Sequence, residues 1–380
     1  MCGLLAVYVS PNAPPLSRKA IDAARDLMAQ RGPDAAATLE IPAQNGATHL
    51  MAHRKLSIQD LSSRAEQPMT SASGRCTIVY NGEVYNTAAL RRDLGEHGVV
   101  CRTSSDTELI LEGYELFGAK IVEKLNGMFA FSIWDRKDQS AFFARDRVGI
   151  KPLYIAKTET GIACASDLRP LRALGYGKDM DQEAQALYLM LGYVPTPRTI
   201  WRRIEKLPAG TMLHWSADGT VRRETYWSAP EDTDYEEGGE DLSQLIDGVV
   251  EEQLRSDVPL GLFLSGGLAS SVIAASIAAL GPAVSKNVSA LTVAYSGNSP
   301  NDEAPVARRT ADHLGSEITV LPLNTVSGSS YRRATETLDE PLAYNAVVSQ
   351  AAISELAAQA GITVVLSGDG GDEVFGGYRW

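Results

Sequence analysis

A cysteine at position 2, in Met1-Cys2-Gly3-Leu4-Leu5, puts a thiol next to the start of the chain. Removal of Met1 would give the same residue a free α-amine. Such an amine titrates at about 7.7–8.0 and can accept a proton near neutral pH. It can therefore activate its own thiol, making one residue both nucleophile and base. A cysteine that merely begins a buried strand fits the same position. A second chemical feature lies far downstream, in Leu264-Ser265-Gly266-Gly267-Leu268-Ala269-Ser270-Ser271. This loop follows an apolar run and opens a helical pattern, so its backbone N–H groups and the positive end of the helix can form a nest for phosphate.

The elements that must position these groups fall into two regimes. Up to about residue 200, short strands alternate with turns, as in Leu4–Val9, Cys76–Tyr80 and Phe129–Trp134. Helical patterns are expected over about 17–30, 87–97 and 106–117, the last with Leu109, Ile110, Tyr114 and Phe117 on one face. A two-layer sheet assembly with helices outside follows. The run from Ser228 to Glu240 is acidic and contains glycines, which reads as a linker. Beyond it come a strand at Leu260–Leu264, a helix from Ser270 to Leu280 and a strand at 288–295. A helix at 303–314 and strands at 317–321 and 362–366 complete a parallel α/β pattern. The chain stops at Trp380 soon after a glycine-rich loop, so the sheet is expected to be incomplete.

Bulk properties exclude several classes. At 380 residues, with 44% hydrophobic and 22% charged residues, the chain has room for two globular domains. A net charge of −12 without a basic patch argues against nucleic acid. Cys2, Cys76, Cys101 and Cys164 show no metal-ligand or disulfide spacing, which favours a reducing, cytoplasmic setting. No leader pattern and no apolar run near 18 residues is present, so neither secretion nor a membrane is expected.

Four signatures recur in order over residues 1–150. They are Cys2-Gly3, His53-Arg54-Lys55-Leu56-Ser57-Ile58, Tyr80-Asn81-Gly82-Glu83-Val84-Tyr85-Asn86 and Ser104-Ser105-Asp106-Thr107-Glu108. Together they resemble the class II glutamine amidotransferases, which are N-terminal-nucleophile hydrolases. The resemblance implies that Arg54 clamps the glutamine α-carboxylate, Asp106 pairs with its ammonium, and Leu56 and Glu83 also contact it. Asp106 could equally be the N-cap of the helix that follows. Asn81 and the Gly82 N–H would be the donors of an oxyanion hole around the carbonyl that Cys2 attacks. The stretches Gly127–Phe131 and Arg145–Tyr154 match the family too, and some of their residues would line the path by which ammonia leaves.

The second half carries the Ser-Gly-Gly loop and Leu366-Ser367-Gly368-Asp369-Gly370-Gly371-Asp372-Glu373-Val374-Phe375-Gly376-Gly377-Tyr378. The first resembles the pyrophosphate loop of enzymes that cleave ATP to AMP and pyrophosphate. With the N-terminal signatures, the whole chain is similar to the glutamine-dependent asparagine synthetases. That similarity implies an α+β N-terminal-nucleophile hydrolase sandwich (αββα) over 1–210 and a connecting segment over 211–239. An α/β parallel-sheet ATP pyrophosphatase-like domain would then fill 240–380. It also implies glutamine, aspartate or another carboxylate acceptor, ATP and Mg2+ as ligands, and a homodimer among the possible assemblies. Ser265, Gly266, Gly267, Ser270, Ser271 and Ser367 would hold ATP or pyrophosphate, with Leu264, Val293 and Gly368 at AMP. Asp372 would bind Mg2+ and Asp369 would stand near the reacting carboxylate.

The chain departs from that pattern at Ala269, where the loop normally carries aspartate, and at Tyr344, where relatives often have an acidic residue. Magnesium on nucleotide phosphates is usually held by one or two carboxylates, so the first departure weakens the expected ATP chemistry. Two alternatives stay open: a relative that amidates a different carboxylate, and a glutamine-binding or glutaminase protein without synthesis. Purine- or sugar-forming amidotransferases share only the first half, and β-lactam-forming relatives lack Cys2.

Overall fold

The computed structural model describes residues 1–11, 13–15, 17–43, 46–230, 241–295, 302–323, 328–344 and 346–377. The chain divides into two compact units, Met1–Thr233 with Asp339–Ala343, and Asp234–Leu338 with Tyr344–Trp380.

Among the described residues the first unit contains strands β1 (Gly3–Val9), β2 (Ala35–Pro42), β3 (Thr48–Lys55), β4 (Met69–Thr70), β5 (Cys76–Val84) and β6 (Gly127–Asp135). It continues with β7 (Ser140–Arg145), β8 (Tyr154–Thr158), β9 (Gly161–Ala165), β10 (Ile204–Lys206), β11 (Thr211–Ser216) and β12 (Val221–Thr225). They form two six-stranded sheets, ordered β10-β8-β9-β1-β3-β2 and β12-β11-β7-β6-β5-β4. Helix α1 (Arg18–Asp26) covers the outer face of the first sheet, while α2 (Thr87–Glu96) and α3 (Asp106–Phe117) cover the second.

Strand alternation explains this layering. Leu4, Ala6 and Tyr8 point inward and meet Val79, Ala130 and Trp134 of the other sheet, whereas Leu5, Val7 and Val9 point out to Ile21, Ala24 and Met28. On β6, Phe129, Phe131 and Ile133 face outward to Leu109, Ile110 and Tyr114. The resulting order is helix, sheet, sheet, helix, as the resemblance implied. Tyr8 stacks on Trp134 with ring centroids 5.4 Å apart, and its hydroxyl lies 2.7 Å from Ser132 Oγ.

One boundary differs from expectation. Residues 211–225, expected within the connecting segment 211–239, form β11 and β12, and β11 pairs with β7 at Leu213↔Phe143 and Trp215↔Ala141. Trp215 is buried between the sheets, so the unit cannot end at 210 without opening its core. The expected acidic linker falls mostly on 231–240, outside the described residues.

Residues 339–343 complete this unit from far along the chain. Asp339 Oδ2 accepts the Leu168 N–H at 3.0 Å, Glu340 Oε1 accepts the Ile200 N–H at 2.6 Å and pairs with Lys206, and Ala343 N donates to Gly192 O at 2.7 Å. The Asp339 carboxyl lies beside that of Asp167, and Arg169 pairs with both.

The second unit is parallel. Strands β13 (Leu260–Phe263), β14 (Val288–Tyr295), β15 (Ile318–Leu323) and β16 (Val364–Leu366) are ordered β15-β14-β13-β16. The expected strands and the helices at Leu268–Ala279 and Ala304–Leu314 are present within a few residues; a helix at Ala346–Gln359 was not anticipated. Strand order reverses between β13 and β16, which opens a crevice at their C-terminal ends.

Burial, then the neighbouring Asp167, raise the Asp339 carboxyl to about 8. An unfolded aspartate titrates near 3.9, so the folded chain keeps a proton that the unfolded chain has lost. Stability from this pair is complete below about 4 and is lost as pH rises through about 8. Urea midpoints measured between pH 5 and 9 are expected to fall more steeply for the parent than for Asp339→Asn.

Candidate active site

The first unit's site forms where β1 enters its sheet. Gly3 pairs with Arg54, which sets Cys2 beside Lys55 and on the inward side shared by Leu4 and Ala6. A side chain at position 3 would come within 2.8 Å of Met28 Cβ, so only glycine lets the strand begin this close to α1. Cys2, Leu56, Asn81, Gly82, Glu83 and Asp106 all line one cavity of about 80 Å³, together with Met1, Lys55, Gln67, Tyr80 and Lys151.

Each group has a physical anchor. The Cys2 thiol donates to Leu56 O at 3.7 Å and its sulfur accepts the Leu56 N–H at 3.4 Å. Burial pushes the thiol up, while the Leu56 amide and the N-terminal charge draw it back. The N-terminal amine is lowered to about 6, chiefly by burial; Cys2 opposes the shift and Lys151 and Arg31 add to it. At neutral pH the cavity therefore holds a protonated thiol beside an unprotonated amine, the pair that base-assisted attack requires. In this chain the amine belongs to Met1, and loss of Met1 would transfer it to Cys2.

Asn81 sits on the inward face of β5, 1% exposed, and its Nδ2 is a buried donor with no hydrogen-bond partner. Such an orphan is costly unless a ligand completes it. At Gly82 a Cβ would lie 2.3 Å from Met128 O, which restricts the position to glycine. Asn81-Gly82 thus lies inside a strand, not in a hairpin turn. Glu83 is held by the Gln59 side-chain amide.

Asp106 is not the helix cap. Ser105 takes that place, its Oγ accepting the Thr107 N–H at 3.2 Å. The Asp106 carboxylate accepts the Tyr80 hydroxyl at 2.7 Å and the Val84 N–H at 3.0 Å. Burial raises this carboxyl, and those donors oppose the rise.

Arg54 does not reach the cavity. On β3, Met51 packs inward and His53 Nε2 lies 3.0 Å from Tyr80 O of the other sheet, while Leu50 and Ala52 pack outward. Alternation then turns Arg54 outward and Lys55 inward. The guanidinium donates to Gly32 O at 2.8 Å and pairs with Asp26 at 3.5 Å; Lys55 lines the cavity, its ammonium 3.3 Å from Asp60 O. Sequence reasoning also missed Gln67, whose Oε1 accepts the Tyr80 N–H at 2.6 Å.

In the second unit, Ser265, Gly266 and Gly267 lie between β13 and the helix Leu268–Ala279. Gly266 has φ +84°, and Gly267 caps the helix with no side chain, so the first N–H groups have no side-chain acceptor. Ser265 Oγ and Ser270 Oγ are 3.0 Å apart, and the Gly267 N–H donates to Ser265 Oγ at 3.2 Å. Ser271 lies one residue further along the first turn. The Leu264 side chain is buried in the core, so only its backbone could meet a ligand; Val293 is half-buried on β14. From the adjacent β16 come Ser367, Gly368 and Asp369, the Ser367 hydroxyl donating to Asp369 at 2.7 Å. Tyr378 and Asn345 lie outside the described residues, and Tyr344 is exposed.

The metal expectation fits poorly. Cβ atoms built on Gly368 and Gly371 would lie 2.9 and 2.8 Å from Ala269 Cβ, so the second loop rests against a methyl where a carboxylate was expected. Asp372 is directed at Gly377, and no cluster of three or more ligating side chains exists among the described residues. With alanine at 269, Asp372 alone would hold the cation beside phosphate oxygens and water, the low end of the one or two carboxylates usual for Mg2+.

Known families carry both halves. A model described as a glutamine amidotransferase domain matches residues 1–227, and one described as asparagine synthase matches residues 241–380. The chain belongs to the glutamine-hydrolysing asparagine synthetase family. It is 32% identical over 395 residues to Bacillus subtilis asparagine synthetase (glutamine-hydrolyzing) 1, covering 100% of this chain and 59% of that one. Identity to Escherichia coli asparagine synthetase B (glutamine-hydrolyzing) is 32% over 408 residues, covering 100% and 65%. A Penicillium rubens protein named amidase chyE is 28% identical over 406 residues, covering 100% and 59%. The chain thus spans roughly three-fifths of the curated relatives it matches. No described helix is long and apolar enough to cross a membrane.

Lys55→Met is expected to raise KM for glutamine roughly 10-fold or more with kcat little changed, the loss of a hydrogen bond to a charged group. Arg54→Met should leave KM in place and lower only thermal stability. Ammonia-release kinetics and melting curves on both variants check the pair.

Proposed function

We propose that this chain hydrolyses glutamine at Cys2 to release ammonia. The unpartnered Asn81 Nδ2 in the same cavity as Cys2 is the observation that carries this reading. In the proposed step the N-terminal amine takes the thiol proton as sulfur bonds to the amide carbon. The carbonyl oxygen becomes an oxyanion, and Asn81 with the Gly82 N–H receives it. Collapse of that intermediate breaks the C–N bond, the amine's proton passes to the leaving nitrogen, and ammonia departs. Water then cleaves the thioester to glutamate. Asp106 and Glu83 are the acceptors for the substrate ammonium, and Lys55 takes the α-carboxylate in place of Arg54.

For the second unit we infer a phosphate cradle for ATP at Ser265–Ser271, with Gly368 and Asp369 from β16 beside it. In the full reaction ATP would adenylate aspartate, and ammonia would displace AMP to give asparagine. Another carboxylate could stand in aspartate's place. Ala269 supports a further reading, in which glutamine hydrolysis outlasts amide synthesis.

Glutamine alone is expected to yield equal amounts of glutamate and ammonia, with Cys2→Ala reducing both to background. Mass spectrometry should find Met1 removed, and a short extension that blocks the Cys2 amine should silence hydrolysis as fully as Cys2→Ala. Ammonia production by the extended chain would contradict the amine's role as base.

Pyrophosphate release with ATP, aspartate and ammonia is expected to be weak for this chain and to rise in Ala269→Asp. Full turnover with Ala269 in place would overturn the reading of impaired synthesis.

A further inference from the structure

Lys151 is a buried cation that the proposed reaction leaves without a task. It is 6% exposed and lines the Cys2 cavity, yet its ammonium has neither hydrogen bond nor ion pair among the described residues. A largely buried lysine kept for structure alone normally has a carboxylate partner; this one has its stem buried and its ammonium open to the cavity. The fold nevertheless fixes this one firmly. Asp146, fully buried in the loop between β7 and β8, accepts the Ile150 N–H at 2.8 Å, the Lys151 N–H at 2.9 Å and the Phe129 N–H of β6 at 3.2 Å. Arg145 Nε donates to Lys151 O at 2.7 Å. Backbone on both sides of the ammonium is therefore clamped, and the head group is left to the cavity.

The titratable groups that line the same cavity are the N-terminal amine and the Cys2 sulfur at the chain start, Tyr80 and Glu83 on β5, Lys55 on β3 and Asp106 on α3. Asp146 lies in its own loop. Arg31, in the turn after α1, donates from Nε to Cys2 O at 3.3 Å and leaves Nη2 buried without a partner. Two cations thus stand by the residue that must lose a thiol proton to its own amine.

We propose that Lys151 is a positioning residue for the attack by Cys2: its ammonium shares one small cavity with the amine and the sulfur, disfavouring a second positive charge on the amine and favouring the anion on sulfur. The proton then moves from sulfur to amine only as the C–S bond forms, and returns to the leaving nitrogen as the C–N bond breaks. A cation here also fits the fall of the Met1 amine to about 6, where burial leads and Lys151 contributes in the same direction; loss of Met1 moves the amine to Cys2 in the same cavity. Burial, then Arg31, lower the Lys151 ammonium itself, whereas Asp146, Glu83 and Cys2 hold it up.

The inference rests on the glutaminase reading, so its test has an arm that needs no turnover. The full chain and its Lys151→Met and Lys151→Arg variants are compared for the pH dependence of glutamine hydrolysis. The rate of Cys2 alkylation by iodoacetamide is followed on the same samples by peptide mass spectrometry. Removing the cation lets the amine hold its proton to higher pH and weakens the thiolate. Lys151→Met is therefore expected to move the acidic limb of both profiles up by about one pH unit, about a 10-fold loss on that limb. Lys151→Arg should restore the parent midpoints. Lys151→Gln carries the same expectation if the methionine variant does not fold. A folded variant lacking the cation but keeping the parent midpoints overturns the proposal. Absence of ammonia release from the parent would overturn the glutaminase reading instead, and the alkylation profile would still decide the role of Lys151.

Discussion

Pairing of Gly3 with Arg54 is the constraint on which the first unit's chemistry depends. Because side chains alternate along paired strands, this single register sends Cys2 inward, Lys55 inward and Arg54 outward. A slip of one residue would point the thiol at α1 and the guanidinium at the cavity. Gly3 protects the register, since any side chain there meets Met28. His53 ties the same strand to Tyr80 O of the opposite sheet. Burial holds its imidazole near 4, so at neutral pH Nε2 carries a proton and donates to that carbonyl. The cavity's two walls are fixed by that bond as well as by the apolar core.

The electrostatics follow from the same placement. Desolvation alone moves thiol and amine in opposite directions, the thiol up and the amine down. Both groups therefore rest neutral, which removes the cost of storing a charge pair in a small, partly desolvated space. Cations from the turn after α1 and from the loop after β7 supply the bias that a histidine supplies in a Cys–His arrangement.

Much of this was legible in the sequence, and the failures have identifiable causes. The helix Asp106–Phe117 was readable because its apolar positions recur at helical spacing and polar residues open it. Which of Ser105 and Asp106 caps it was not, since both types serve and only the folded geometry distinguishes them. Arg54 was taken for the clamp because guanidinium suits carboxylate; parity along β3 turns it outward and brings Lys55 to the cavity. Gln67 was invisible, and Lys151 was noticed only as part of the run Arg145–Tyr154, because their places in the cavity come from contacts between strands distant in the chain. β11 and β12 were lost to the expected linker because the acidic stretch beyond them dominated the local composition. Ala269 stood out in the sequence, but the packing of Gly368 and Gly371 against its methyl requires two parallel strands to be neighbours.

The docking of Asp339–Ala343 has a consequence for how such a chain is made. Synthesis runs from the N-terminus, so both sheets of the first unit are available more than 100 residues before the segment that caps Leu168, Ile200 and Lys206 emerges. During that interval two backbone amides and a lysine must be satisfied by water. The cysteine-bearing unit is thus finished only after most of its neighbour has been translated. A gene fragment cut at the apparent domain boundary would encode a unit permanently held at that earlier stage.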